Sequence, residues 1–148
     1  MVFAAIITVL AAAQLVSAHF GIIYPEWRAN TLMANSSYSQ WNYPCAGVPG
    51  GLSNGSRTEW PLTGGSVKLD LKHDWTYVVV NLGIGENVTN FNYTLTPLTN
   101  LTGTGEYCFK TLSLPAEVSV EDGTEASIQV VNVGHSGSAL YNVSFPPR

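Results

Sequence analysis

Charge is scarce in this chain of 148 residues: only 11% of its side chains are Asp, Glu, Lys or Arg. The 6 Lys and Arg form no cluster and are outnumbered by 10 Asp and Glu, giving a formal net charge of -4. A nucleic-acid binder needs a basic footprint, so that class is excluded. Cysteine and histidine are also rare, at 2 and 3 copies, and on count alone offer little chemistry. No stretch carries a 3.6-residue apolar period over ten residues, which argues against a helical protein. There is no internal repeat, low-complexity tract or domain linker. Ser136 and Ser138 have no acid–base partner nearby in sequence, so a serine hydrolase is unsupported. What is abundant is apolar surface. A hydrophobic fraction of 45% is enough for a core and excludes a fully disordered chain. The length suits one domain.

The longest apolar run is at the start. Met1 to Ala18 holds no charged side chain and closes on Val16-Ser17-Ala18, with small residues at the last and third-last positions. This is the pattern of a secretory signal peptide over residues 1–18, although a basic leading segment is missing. Uncleaved, it would be a membrane anchor. Cleaved after Ala18, it leaves a single domain over residues 19–148. Export agrees with six N-x-Ser/Thr acceptors, at Asn35, Asn54, Asn87, Asn92, Asn100 and Asn142. Six such sites read as a secreted glycoprotein of the cell wall or cell surface, whose sugars supply solubility that charge does not. Outside the cytosol a disulfide between Cys45 and Cys108 is available, worth about 4 kcal/mol in the chain-entropy model. The chain stops at Pro146-Pro147-Arg148, and no glycolipid-anchor signal is expected.

The remainder reads as all-β. Ser66 to Leu71 alternates, with Val67, Leu69 and Leu71 on one face. Thr76 to Leu82 is apolar on both faces, as in a central strand. Asn92 to Leu98, Tyr107 to Phe109, Ala126 to Val133 and Ala139 to Phe145 complete the set. Alternation puts Asn92 and Asn142 on polar faces, where a sugar fits. Gly and Pro fall mostly between these runs, so a β-sandwich or barrel is expected. The Asn/Ser/Gly/Pro-rich stretch from Trp27 to Thr63 is expected to be an extended loop with at most a short helical turn.

Cleavage before His19 would change the value of three histidines. An N-terminal histidine offers its α-amine and its ring Nδ1 in one chelate ring, and the amine, of unperturbed pKa about 7.7–8.0, loses its proton to a metal readily. One more imidazole completes a T-shaped set of three nitrogens that suits Cu(II). His73 is the candidate, because it shares the parity of Leu71 at a strand end. A lone histidine there is ordinarily a packed structural residue; the N-terminal histidine reverses that reading. His135, in Gly134-His135-Ser136-Gly137, is expected at an exposed loop tip, and Asp74 is expected to be solvated or to support His73. Trp27, Trp41, Trp60 and Trp75 are expected mainly to pack, with a carbohydrate platform as their alternative role.

Taken together, the motifs resemble a family. They are Ala18-His19-Phe20, Tyr24-Pro25 with Trp27-Arg28, Gln40-Trp41-Asn42-Tyr43-Pro44-Cys45, and Trp60-Pro61-Leu62 with Gly64-Gly65. Leu69 to Tyr77 around His73, Glu106-Tyr107-Cys108, Asp122-Gly123 before Ile128-Gln129-Val130, and Ala139-Leu140-Tyr141-Asn142 complete them. The chain resembles the fungal copper-binding proteins that are similar in fold to lytic polysaccharide monooxygenases (LPMOs), called LPMO-like or copper acquisition factor proteins. The resemblance implies an immunoglobulin-like (fibronectin III-like) antiparallel β-sandwich with one Cu(II) per chain in a histidine brace. Its ligands would be His19, His73 and Asp122, the last by a carboxylate oxygen. From the residues alone, an Asp before Gly reads as a turn residue. A bound carboxylate would favour Cu(II) over Cu(I) and fill space that an oxygen-activating site keeps open.

The resemblance therefore implies extracellular copper capture without oxidative glycan cleavage, and leans against an enzyme. The alternatives are a copper-dependent polysaccharide monooxygenase and a structural cell-wall or adhesion module. A membrane copper transporter and cell-wall polysaccharide are the partners it suggests, with the chain as a monomer. Two departures stand out. Many members have a cysteine at the position of Val143, so Cys45 and Cys108 either pair with each other or leave one free. Many also continue into a Ser-rich tail and an anchor signal.

Overall fold

The computed structural model describes residues 19–50 and 57–145. The proposed signal peptide (residues 1–18) and the acceptor Asn54 lie outside the described residues. Eight strands carry the fold: β1 (Phe20–Tyr24), β2 (Gly65–Leu71), β3 (Trp75–Ile84), β4 (Tyr93–Thr94), β5 (Thr99–Thr102), β6 (Gly105–Leu112), β7 (Ala126–Val133) and β8 (Ala139–Ser144). They form an antiparallel two-layer sandwich. One sheet has the order β1-β2-β6, and the other β4-β3-β7-β8, with β5 also on β3.

The alternating residues of β2 explain the inner layer. Val67, Leu69 and Leu71 are buried and meet Phe20 and Ile22 of β1 on one side and Val78, Val80, Ile128, Val130 and Leu140 of the facing sheet on the other. β7 is covered on both faces over most of its length, whereas the outer face of β3 stays partly open, with Tyr77 exposed. Ile128 and Val130 of β7 enter the inter-sheet core. On the opposite face Gln129 donates its Nε2–H to Pro44 O at 2.8 Å, which ties the long loop across the outside of the sheet. Beneath that loop Cys45, Ala46, Val48 and Val143 make a second small core.

The pattern reading and the structure differ at four elements. β1 escapes it because only five residues stand between His19 and Pro25. β5 escapes it because it is four residues long. The alternation from Asn92 to Leu98 yields only Tyr93–Thr94 as strand, since Leu95 and Thr96 both turn their N–H groups to Val80 O ahead of Pro97. β6 is longer than expected, eight residues, because an edge strand need not alternate strongly.

Two expectations are corrected. Cys45 and Cys108 do not form a disulfide: both are free. Cys45 lies under the loop on the outer face of the five-stranded sheet, whereas Cys108 is exposed on β6, at the edge of the other sheet. Burial pushes the Cys45 thiol up from its ordinary pKa, partly opposed by the neighbouring Arg28. Asn142 is also not on a solvent face. It is fully buried, and its Nδ2–H groups point to Phe20 O at 3.4 Å and Thr31 Oγ1 at 3.3 Å. The alternation holds but its faces are reversed there: Asn142 pairs with Val130 and shares the inward face of β8 with the core residue Leu140. Asn35, Asn87, Asn92 and Asn100 are exposed.

Candidate metal centre

Antiparallel pairing determines which residues meet at the ends of the sandwich. Phe20 opens β1 opposite Leu71, the last residue of β2. His19 and His73 therefore leave their strands at the same end, and the turn Lys72–Asp74 carries His73 over to β3. His19 and His73 are both half-buried. Burial lowers the pKa of the His19 ring, and the nearby His73 lowers it further. Both effects favour a neutral imidazole, the form that binds metal.

The backbone at His19 is held by a buried polar network. Gln40 is 1% exposed, and its side-chain amide pairs with Phe20 as a strand neighbour would. Its Oε1 accepts from Phe20 N at 3.3 Å, and its Nε2 donates to Phe20 O at 2.7 Å and to Thr31 Oγ1 at 2.7 Å. Asn142 adds the contacts described above, and Tyr141 N donates to Gln40 O at 2.7 Å. A glutamine does this well because one planar amide supplies both acceptor and donors. Sequence reasoning had not given Gln40 or Thr31 a role. The Gln40-Trp41 motif was the available signal. Replacing Gln40 with leucine strips partners from buried groups that cost about 1–3 kcal/mol each when left unpaired. Gln40→Leu is expected to lower stability by about 3 kcal/mol, measured by urea unfolding of the metal-free protein.

Other groups gather at the same end. Trp41 follows Gln40, is 49% exposed, and stands edge-on to the His19 ring with centroids 6.3 Å apart. His135 is exposed, but it is not isolated. Its Nε2 lies 3.0 Å from Asp74 Oδ1, and its ring packs 4.2 Å from Trp75. That hydrogen bond holds the Asp74 carboxyl below the usual carboxylate range. Trp60 is buried in the core, and Trp27 packs over Gly21. Of the four tryptophans only Trp41 and Trp75 reach the site, so they do not form a common platform.

Asp122 is the ligand expectation that the topology overturns. It is exposed in the turn Glu121–Thr124, where Thr124 N donates to Glu121 O at 3.1 Å and Gly123 takes a φ of 83°. β7 begins just after it at Ala126, which faces Ile84 at the far end of β3 from His73. The eight residues of β7 span about 24 Å, so Asp122 lies at the opposite end of the sandwich from His19. Its turn role follows from Asp-Gly chemistry. Asp122→Asn is therefore expected to leave Cu(II) affinity within about twofold of the parent in a competition titration.

Among the described residues no group of three or more His, Cys, Asp or Glu side chains converges to hold a metal. A brace would need only two such residues, with an N-terminal amine as its third nitrogen. His19 and His73 fit that need. The comparisons with known proteins agree on the metal. Residues 17–144 match the family described as copper acquisition factor BIM1-like. The chain belongs to this family. It is similar to the lytic polysaccharide monooxygenase-like protein ham-7 of Neurospora crassa, with 33% identity covering 93% of this chain and 68% of that protein. It is also similar to the monooxygenase-like proteins X325 of Aspergillus fumigatus (32%, covering 95% and 70%) and Hypocrea jecorina (34%, covering 93% and 66%). The BIM1-like chain thus spans about two thirds of the length of these relatives, and its function is related to copper. The family match reaches both His19 and His73.

Proposed function

We propose that the protein captures Cu(II) outside the cell through a histidine brace and serves in copper acquisition, without a turnover reaction. The observation that carries this reading is the meeting of His19 and His73 at one end of the sandwich. In it, processing after Ala18 frees the His19 amine. Amine, His19 Nδ1 and one ring nitrogen of His73 then supply three nitrogens to one copper ion per chain. Gln40 fixes Phe20 and so limits the positions open to His19. Copper is cargo in this scheme, to be passed to a membrane transporter. The family's printed description, a copper acquisition factor, supports capture. Asp122 takes no part, so the argument against oxidative chemistry no longer rests on a bound carboxylate.

One observation favours a second reading. The exposed Trp41 ring beside His19 could stack on a sugar, as expected of a polysaccharide monooxygenase. A single experiment separates the two. The copper-loaded protein is incubated with cellulose, chitin and fungal glucans in the presence of ascorbate and peroxide. Capture predicts one tightly held copper per chain and no oxidised oligosaccharides above a free-copper control. Oxidised products above that control would establish the monooxygenase.

A further inference from the structure

β6 is the longest unguarded strand edge among the described residues. It is bonded to β2 on one side only, and five of its eight residues are exposed. The other edges are protected. β8 is bridged by Trp27 at Ser144. β1 has five residues, a register shift between Ile22 and Tyr24, and Pro25 directly after it. β4 and β5 have two and four residues. Exposed edges of this length template pairing with another chain unless blocked. Of the described N-x-Ser/Thr acceptors, none falls on β1, β2 or β6.

The sequence of β6 is complementary to itself. In an antiparallel pair centred on Cys108, Glu106 faces Lys110 of the other copy, Tyr107 faces Phe109, and Cys108 faces Cys108. The faces agree as well. Tyr107 and Phe109 register with Leu69 and Val67, so both look toward the inter-sheet core. Glu106 and Cys108 register with Asp70 and Lys68, on the outer face, and Lys110 shares their parity. Opposite charges and aromatic pairs directly across a strand pair each add about 0.2–1 kcal/mol. Glu106 already holds Lys68 at 2.6 Å and would be shared between two lysines.

We propose that β6 is the interface of a two-fold dimer of this chain, with Glu106 opposite Lys110 and the two Cys108 residues face to face. The pair of strands is too small for a stable interface by itself, since lasting ones bury about 1,200–2,000 Å². A Cys108–Cys108 disulfide secures it. A disulfide oxidant such as oxidised glutathione accepts the two electrons: two Cys108 thiols lose two protons, the S–S bond forms, and two glutathione thiols are released.

The test equilibrates the purified, metal-chelated chain in a reduced/oxidised glutathione buffer. Dimer is read by sedimentation and non-reducing electrophoresis, and the linked peptide by mass spectrometry. The parent is expected to give a dimer joined at Cys108, and Cys108→Ser only monomer. Lys110→Glu sets like charges opposite Glu106 and should cut the dimer fraction at least fivefold. The charge exchange Glu106→Lys with Lys110→Glu should restore it, which a merely exposed thiol would not require. A Cys108–glutathione adduct without dimer, linkage through Cys45, or equal dimer yields from Lys110→Glu and the exchanged pair would overturn the proposal.

Discussion

His73→Ala is expected to lower Cu(II) affinity by more than about 100-fold, beyond the 10–100-fold typical of losing a partner that only supports a ligand. In the proposed brace the change removes one of three nitrogens. Asp74 is the carboxylate adjoining His73 in sequence, and its side chain is already engaged by His135. The fold should survive, because His73 sits in a half-buried turn outside the core. An unchanged affinity in a chelator-competition titration, with unfolding also unchanged, would mean that copper binds elsewhere. His135→Ala is the useful companion. It touches the same end of the molecule but is given no ligand role, so it should cost much less than His73→Ala.

The largest effect is expected from a single residue added ahead of His19. An extra residue turns the amine into an amide, which gives up its proton far less readily, and the chelate ring is lost. Linking two donors in one residue raises avidity by on the order of 10²–10⁴-fold, and affinity should fall by that factor. Stability of the metal-free protein should not change. The backbone after His19 is held through Phe20 by Gln40 and Asn142, which the extension does not touch. Equal affinity of extended and unextended protein would show that His19 binds, if at all, through its ring alone.

Much of this arrangement was legible in the sequence. The alternation of Val67, Leu69 and Leu71 and the apolar run from Thr76 identified the central strands, and the parity of His73 with Leu71 placed it at a strand end. His19 is proposed as the partner of His73 because residue 19 follows a cleavage-like tripeptide. Four features were not legible, each for a physical reason. Asn142 has the pattern of an exposed sugar acceptor, but it shares the inward face of β8 with Leu140, and period-2 alternation does not say which face is the inner one. Asp122 was carried into the site by resemblance, although Asp-Gly chemistry already suggested a turn; register then put that turn at the far end of β7. The missing disulfide follows from layer assignment, which spacing between Cys45 and Cys108 does not encode. The amide of Gln40 acts through backbone contacts across twenty residues of chain, a pairing that the Gln40-Trp41 motif marks but does not spell out.

The central claim is that two histidines provide three nitrogens to one copper. Electron paramagnetic resonance of the protein beginning at His19, loaded with one equivalent of Cu(II), tests it most directly. The account predicts hyperfine coupling to three equatorial nitrogens, a pattern retained in Asp122→Asn and reduced to two by His73→Ala. Two nitrogens or fewer in the parent, or a spectrum altered by Asp122→Asn, would contradict it.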